Sequence, residues 1–262
     1  MSSENPRQRP PNQADTDAIL RLLGAHRSIR SYTDDPVPEA DLAAAVQAGQ
    51  AAATSSAVQA YCAIRITDPA RRARLAELTG PQAKVRLAPE FLVICADSRR
   101  HRLLCQRDNK PYDQRLEGFL VAAIDAALFA QNMTVALEAM GYGTCYIGGL
   151  RNHLAEVITL LNIPEGVYPL FGLCVGKPAE QPSHRPRLPI DAVLFEGAYP
   201  ADADMLERID TYDATYRDYL TDRGAKPEQI DGAWSAAMAT KHATPSRTDL
   251  AETYIRQGAS LD

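Results

Sequence analysis

The chain has 262 residues, 45% hydrophobic and 23% charged, with a formal net charge of -5 at pH 7. That length suits one large domain or two small ones, and the composition is ordinary for a soluble globular protein. The negative balance argues against bulk electrostatic binding to nucleic acid, which needs a basic face, and no apolar run approaches the roughly 20 residues that span a bilayer. Met1 to Asp15 is polar, carries prolines and lacks an apolar stretch. It is therefore no secretory signal, and a disordered leader over 1–15 is expected.

A helix is predicted from Thr16 to Gly24, with Asp15 as its N-cap. His26-Arg27-Ser28-Ile29-Arg30-Ser31-Tyr32 follows as a loop or short extended piece, and Pro36 and Pro38 break the chain. Pro38 suits the first turn of an alanine-rich helix from Glu39 to about Ala52. Tyr61 to Thr67 alternates and predicts a strand. Asp68-Pro69 opens a helix through Leu78, and Phe91 to Ala96 predicts a fully buried strand.

The longest helical signal runs from Leu116 to Met140. Leu116, Leu120, Ala123, Ala127, Ala130 and Thr134 share one face, with Phe119, Ile124 and Leu128 beside it. An apolar surface this wide predicts a helix buried in the core, and Asp125 interrupts it, so it is not a membrane helix. Cys145 to Ile147 is a short strand leading into Gly148-Gly149. Asn152 is expected to cap a helix through Leu161, and Tyr168 to Val175 predicts another buried strand. Gly176 to Pro189 is proline- and arginine-rich and must be irregular. Polar helices follow near 205–220, 230–240 and 249–257, an extension with modest apolar faces that packs on something else. The five cysteines, Cys62, Cys95, Cys105, Cys145 and Cys174, show no CxxC spacing. They read as free, mostly buried thiols in a reducing compartment, not as a metal site or nucleophile.

Four stretches carry chemistry. In an extended segment His26, Ser28 and Arg30 share a face, and guanidinium forks suit phosphate, although such a cluster is more often solvated surface. Arg185-Pro186-Arg187 sets two guanidiniums on a stiff backbone, as a phosphate clamp or a solvated loop. Tyr146-Ile147-Gly148-Gly149 ends a strand in bare backbone, open to a flat ligand or simply a tight turn. No GxGxxG fingerprint is present. Thr54-Ser55-Ser56, Gln59 and Gln82 offer small donors for the edge of a heterocycle, or plain turn chemistry.

In order and spacing these elements resemble the nitroreductase family, and within it the NfsA/Frp-type group of FMN-dependent NADPH oxidoreductases. The resemblance rests on HRSIRSYTDDPV, TSS, VQAYCAIRITD, LTGPQAKV, EFLVICAD, AQN, YIGGLRN, PLFGLCVGKPAEQP and RPRLP. It covers roughly His26 to Pro189, and beyond that rests on YLTDRG, Trp234 and Arg247. It implies an α+β fold with a central, mainly antiparallel sheet flanked by helices. The core would span 16–200, and a helical extension over 201–262, within the same domain, would pack on the partner of a homodimer. It further implies an FMN at each of two sites formed at the subunit interface.

By resemblance, His26, Arg27 and Ser28 are expected near the phosphate and ribityl, and Arg30 beside the N1/C2 carbonyl edge of the flavin. Arg185 and Arg187 are expected at the phosphate, the first being a lysine more often in the family. Thr54, Ser55 and Gln82 are expected near the ring or ribityl, and Tyr146, Ile147, Gly148 and Gly149 along the isoalloxazine. Ser56 and Arg247 match positions near its open face, and Arg223 matches an arginine that reads the NADPH 2′-phosphate. The loop after Arg223 holds only Lys226 where the family has further arginines, so the preference for NADPH over NADH is expected to be weaker.

The implied activity is ping-pong hydride transfer from NADPH or NADH through flavin N5 to nitroaromatics, quinones or similar small acceptors. No side chain acts as nucleophile, and no metal, nucleic acid or membrane is involved. A cytoplasmic location is expected. The alternatives are a flavin reductase supplying reduced FMN to a partner, a non-catalytic flavin-binding or sensing protein, and a plain scaffold.

Overall fold

The computed structural model describes residues 12–260 and 262. The chain forms two compact units. One runs up to Pro182 and resumes with Asp249–Asp262; the other is Ser183–Thr248. The division thus comes at Ser183 and not at 201, and the last helix belongs with the first unit.

The first unit is built on four strands, β1 (Tyr61–Arg65), β2 (Glu90–Asp97), β3 (Gly143–Ile147) and β4 (Val167–Gly176). They lie in the order β1-β2-β4-β3, and every neighbouring pair is antiparallel. Every residue of β2 is buried, because both of its faces are covered. Leu92 and Ile94 point to one side, with Ala126, Phe129, Met133, Leu137, Leu173 and Val175. Phe91, Val93 and Cys95 point to the other, with Leu75, Val85, Cys145, Ile147, Val157 and Cys174. A strand covered on both faces needs no polar alternation, which is why FLVICA reads as a continuous apolar run.

Helices α1 (Gln13–Gly24), α2 (Glu39–Gln50), α3 (Pro69–Leu78), α4 (Ala83–Leu87), α5 (Arg99–Arg107), α6 (Leu116–Ala139), α7 (Leu154–Leu161) and α10 (Leu250–Arg256) complete the unit. α3 starts as expected, with the Arg71 N–H donating to the Asp68 carboxylate at 2.7 Å. Two other caps differ. Asn12, not Asp15, caps α1: the Asp15 N–H donates to Asn12 Oδ1 and the Asn12 N–H donates back to the Asp15 carboxylate, both at 3.0 Å. This reciprocal pair moves the helix start three residues upstream. Residues 12–15 of the expected leader therefore belong to the cap and first turn of α1, and residues 1–11 lie outside the described residues. Asn152 does not cap α7, which follows a 3-10 turn over Gly148–His153.

The main correction concerns α6, which is not buried all round. Its core face is Ala122, Asp125, Ala126, Phe129, Ala130, Met133, Thr134 and Leu137. Leu116, Leu120, Ile124 and Leu128, expected inside, are 37%, 43%, 56% and 41% exposed. The small residues face inward because α2 crosses closely: a Cβ on Gly49 would lie 2.8 Å from the Phe129 ring. By length and composition α6 could cross a membrane, but here its inner face packs against α2 and the sheet. α10 returns to the same unit, where the Tyr254 hydroxyl donates to the Pro169 carbonyl at 2.7 Å.

The second unit holds α8 (Asp202–Asp222) and α9 (Pro227–Ala243) after a 3-10 turn at Ile190–Ala192. The α9 backbone breaks at Ala233 (φ 48°, ψ -145°), a conformation that disfavours any side chain. Asp213 on α8 holds the break. Its carboxylate accepts the Trp234 and Ser235 N–H groups, both at 3.0 Å, and so caps the second half of α9.

Candidate functional site

Three groups of expected site residues emerge, two in the first unit and one in the second. The first lies along the free edge of β3. Ser28 bridges Thr144 in parallel, and the Ile29 N–H donates to the Thr144 carbonyl at 2.9 Å. Arg30 then follows in the direction of Tyr146. Ile29 locks this segment down: a Cβ on Gly143 would lie 2.5 Å from it, so only glycine admits the approach. The Glu180 carboxylate accepts the Arg30 and Ser31 N–H groups, leaving both Arg30 and Arg27 as side chains on a braced backbone. His26 is committed elsewhere, its Nδ1 lying 2.6 Å from Glu138 on α6.

At the other end of β3 the chain passes through Gly148 and Gly149 against Gln82. A Cβ on Gly149 would lie 2.2 Å from the Thr79 carbonyl and 2.5 Å from Gln82 Nε2, so glycine alone lets this strand end meet the α3–α4 turn. Tyr146 points to α6, accepts from the Thr134 hydroxyl at 3.1 Å and donates to Gln131 at 3.4 Å; burial pushes its phenol up. Ile147 is 1% exposed within the core, so its backbone, not its side chain, faces any ligand. This edge combines guanidinium, hydroxyl, amide and bare backbone, the donors that suit a phosphate and the rim of a flat heterocycle.

The second group sits at the opposite edge of the sheet. Thr54-Ser55-Ser56 lies in the loop that enters β1, with β2 and β4 between it and β3. Three strand spacings amount to about 14 Å. This loop is held in an unusual shape, with Ser56, Ala57 and Gln59 at φ 46°, 58° and 53°, a left-handed region costly for such residues. Asp125 holds it: its carboxylate accepts the Ser55 and Ala60 N–H groups, both at 3.1 Å. His101 on α5 adds a hydrogen bond to the Val58 carbonyl at 2.9 Å.

The third group belongs to Ser183–Thr248. Arg185, Pro186 and Arg187 line a cavity of about 520 Å³ with Tyr212, Tyr216 and Trp234. The Arg223 guanidinium donates to the Tyr219 hydroxyl at 2.7 Å and lies 5.2 Å over its ring. The same Tyr219 hydroxyl raises the pKa of Arg185. Burial pushes the Tyr219 phenol up, but the two arginines outweigh it and the net shift is downward. Arg185 and Arg223 thus both act on one phenol. Arg247 stands further along this unit at φ 55°.

Sequence reasoning missed Asp125, Glu138, Glu180 and Tyr219. For Asp125 a signal existed: a lone carboxylate amid an apolar helix must find partners if it is buried. The two glutamates and Tyr219 stand out only once the fold brings distant segments together.

The family model described as nitroreductase family matches residues 23–177, and the model for the C-terminal domain of that family matches residues 185–262. The chain is 45% identical over 237 residues to a Bacillus subtilis protein named FMN reductase (NADPH), covering 88% of this chain and 94% of that protein. It is 40% identical to the oxygen-insensitive NADPH nitroreductase of Salmonella typhimurium, over 91% of this chain and 97% of that one. Among solved structures, the NADPH:FMN oxidoreductase of Vibrio harveyi complexed with NAD+ superposes with a TM-score of 0.84 at 36% identity, covering 93% of this chain and 99% of that chain.

The Asp125 geometry predicts the effect of Asp125→Asn. One of its two N–H donors then meets an NH₂ group, at a cost of about 1–3 kcal/mol. Thermal unfolding should move down, and FMN affinity, read by fluorescence titration, should fall about tenfold. Val157→Ala, a core truncation of similar cost, should lower stability alike and leave FMN affinity in place. Unchanged FMN affinity in Asp125→Asn would separate the loop from the flavin.

Proposed function

The chain belongs to the nitroreductase family, and on that premise we propose that it is an FMN-dependent NAD(P)H oxidoreductase working as a homodimer. The observation that carries this reading is the β3 edge, where Arg27, Ser28 and Arg30 run beside Tyr146–Gly149 and Gln82. FMN fits this donor set. Arg27 Nε is buried with no partner among the described residues, a donor that a phosphate or ribityl oxygen would satisfy.

FMN, when bound, would supply the two-electron hydride chemistry between the nicotinamide and the acceptor. The residues of this chain bind and orient. Arg27, Ser28, Arg185 and Arg187 hold the phosphate and ribityl, with His26 beside them in its pair with Glu138. Arg30 lays positive charge where negative charge accumulates, which favours reduction. Gln82 and the backbone of Ile147, Gly148 and Gly149 line the ring, together with Tyr146. Thr54 and Ser55 approach it from the loop before β1. Ser56 and Arg247 face the donor and acceptor, and Arg223 reads the 2′-phosphate. No side chain needs to act as a nucleophile.

The separation of the Thr54–Ser56 loop from the β3 edge supports a site completed by two copies. The exposed apolar row of Leu116, Leu120, Ile124 and Leu128 on α6 supports a contact between them. A nitroaromatic or quinone is the acceptor we propose. Free FMN is the second reading, favoured by the relative named FMN reductase (NADPH); turnover with FMN against turnover with a quinone separates the two. The five cysteines are all free, which supports a cytoplasmic location.

Arg30→Ala should make the flavin potential more negative and weaken FMN binding about tenfold, the loss of a charged hydrogen bond of roughly 1.5 kcal/mol. Spectroelectrochemistry and titration measure both, and unchanged values remove the role given to Arg30. Arg223→Ala should raise KM for NADPH about tenfold, on the same scale, and leave KM for NADH in place. Equal effects on the two donors would remove the 2′-phosphate assignment.

A further inference from the structure

Four of the five thiols, scattered in the sequence, are paired by the sheet register; Cys105 stands apart on α5. Cys62 on β1 lies directly opposite Cys95 on β2, and Cys145 on β3 lies directly opposite Cys174 on β4. Directly opposite residues share a face, so each pair has its sulfurs on the same side. The two pairs differ in access. Cys145 and Cys174 are 4% and 0% exposed, and burial pushes both thiols up. Cys62 is half-buried on the edge strand β1, and the Cys95 thiol opposite it draws its pKa down, while the Cys95 S–H itself donates to the Val93 carbonyl at 3.8 Å.

We propose that Cys62 and Cys95 form a reversible disulfide, a modification site on the edge strand that a hydroperoxide closes and a small thiol reopens. The ladder fixes the geometry. The Asp97 N–H donates to the Ala60 carbonyl and the Ile66 N–H to the Phe91 carbonyl, both at 2.9 Å. Counting in twos from either bond makes Cys62–Cys95 a hydrogen-bonded pair, with Cα atoms about 5.5 Å apart. That lies within the span of about 4.4–6.8 Å that a disulfide bridges. The Cβ separation of such a pair, about 5 Å, exceeds the roughly 3.8 Å of a relaxed bridge. The bond is therefore strained, and strained disulfides are the readily reduced ones.

Cys62 is the attacking sulfur. It is the more exposed of the two, and the neighbouring Cys95 thiol and Arg100 lower its pKa against burial and Asp97; the adjacent Cys62 and burial push the Cys95 thiol up. The Cys62 thiolate attacks one oxygen of the hydroperoxide. An S–O bond forms, the O–O bond breaks, and the departing oxygen takes a proton and leaves as alcohol or water. The Cys95 sulfur then attacks the Cys62 sulfenic acid. The S–S bond forms, the S–O bond breaks, and water leaves with the Cys95 proton. The two thiols lose two electrons and the peroxide gains them.

The test exposes the full-length holoprotein to hydrogen peroxide, then counts thiols after denaturation and maps peptides without reduction. Two of the five thiols should disappear, a single link should join the Cys62 and Cys95 peptides, and dithiothreitol should restore both. In Cys95→Ser the sulfenic acid should accumulate on Cys62 and be trapped by dimedone, whereas Cys62→Ser should lose no thiol. Retention of all five thiols, a link between other cysteines, or no dimedone adduct on Cys62 in Cys95→Ser would overturn the proposal.

Discussion

Asp125 lies 1% exposed in the middle of the apolar helix α6, and a carboxylate left there without partners would cost several kcal/mol. It finds two backbone N–H groups in the loop entering β1, and much of the first unit follows from that match. The helix must turn Asp125 toward the loop, so Ala122, Ala126 and Phe129 face the core with it. The leucine row is left on the outside. The loop, in turn, is held in left-handed backbone that Ser56, Ala57 and Gln59 would not adopt unaided.

The antiparallel order β1-β2-β4-β3 separates two groups of the expected site residues. One edge carries guanidiniums, an amide and bare backbone; the other carries the small hydroxyls of Thr54, Ser55 and Ser56. The same helix that fixes the second edge also presents Leu116, Leu120, Ile124 and Leu128 outward. In the proposed dimer, one element therefore sets both the loop and the contact that would bring that loop to a neighbouring copy. Glycine has a matching part at the other edge, since Gly143 and Gly149 admit approaches that any Cβ would block.

Much of this was legible in the residues. Buried strands appeared as continuous apolar runs, and Asp68-Pro69 marked the start of α3. The ordered motifs from HRSIR to RPRLP carried the family. Other features were illegible for physical reasons. α5, RRHRLLCQR, is strongly polar and buries none of its residues, so no core-forming apolar stretch marks it. α4 is five residues long with only Val85 buried. In α6 both faces are apolar, and the close crossing of α2 together with the partners of Asp125 decides which is inside. The partners of Asp125, Glu138, Glu180 and Tyr219, and the pairing of the cysteines, depend on register and packing between distant segments. Spacing along the chain does not encode these.

The central claim, a flavin site assembled from the β3 edge of one copy and the Thr54–Ser56 loop of another, is tested most directly by hybrid dimers. Arg30→Glu disables the first edge and Ser55→Trp the second, so each homodimer should bind FMN poorly and turn over NADPH slowly. A hybrid of the two pairs an intact edge with an intact loop at one of its sites. The account predicts that the purified hybrid regains FMN at that site, with the turnover that goes with it. A hybrid as inactive as its parents would mean that each site lies within a single chain, and would contradict it.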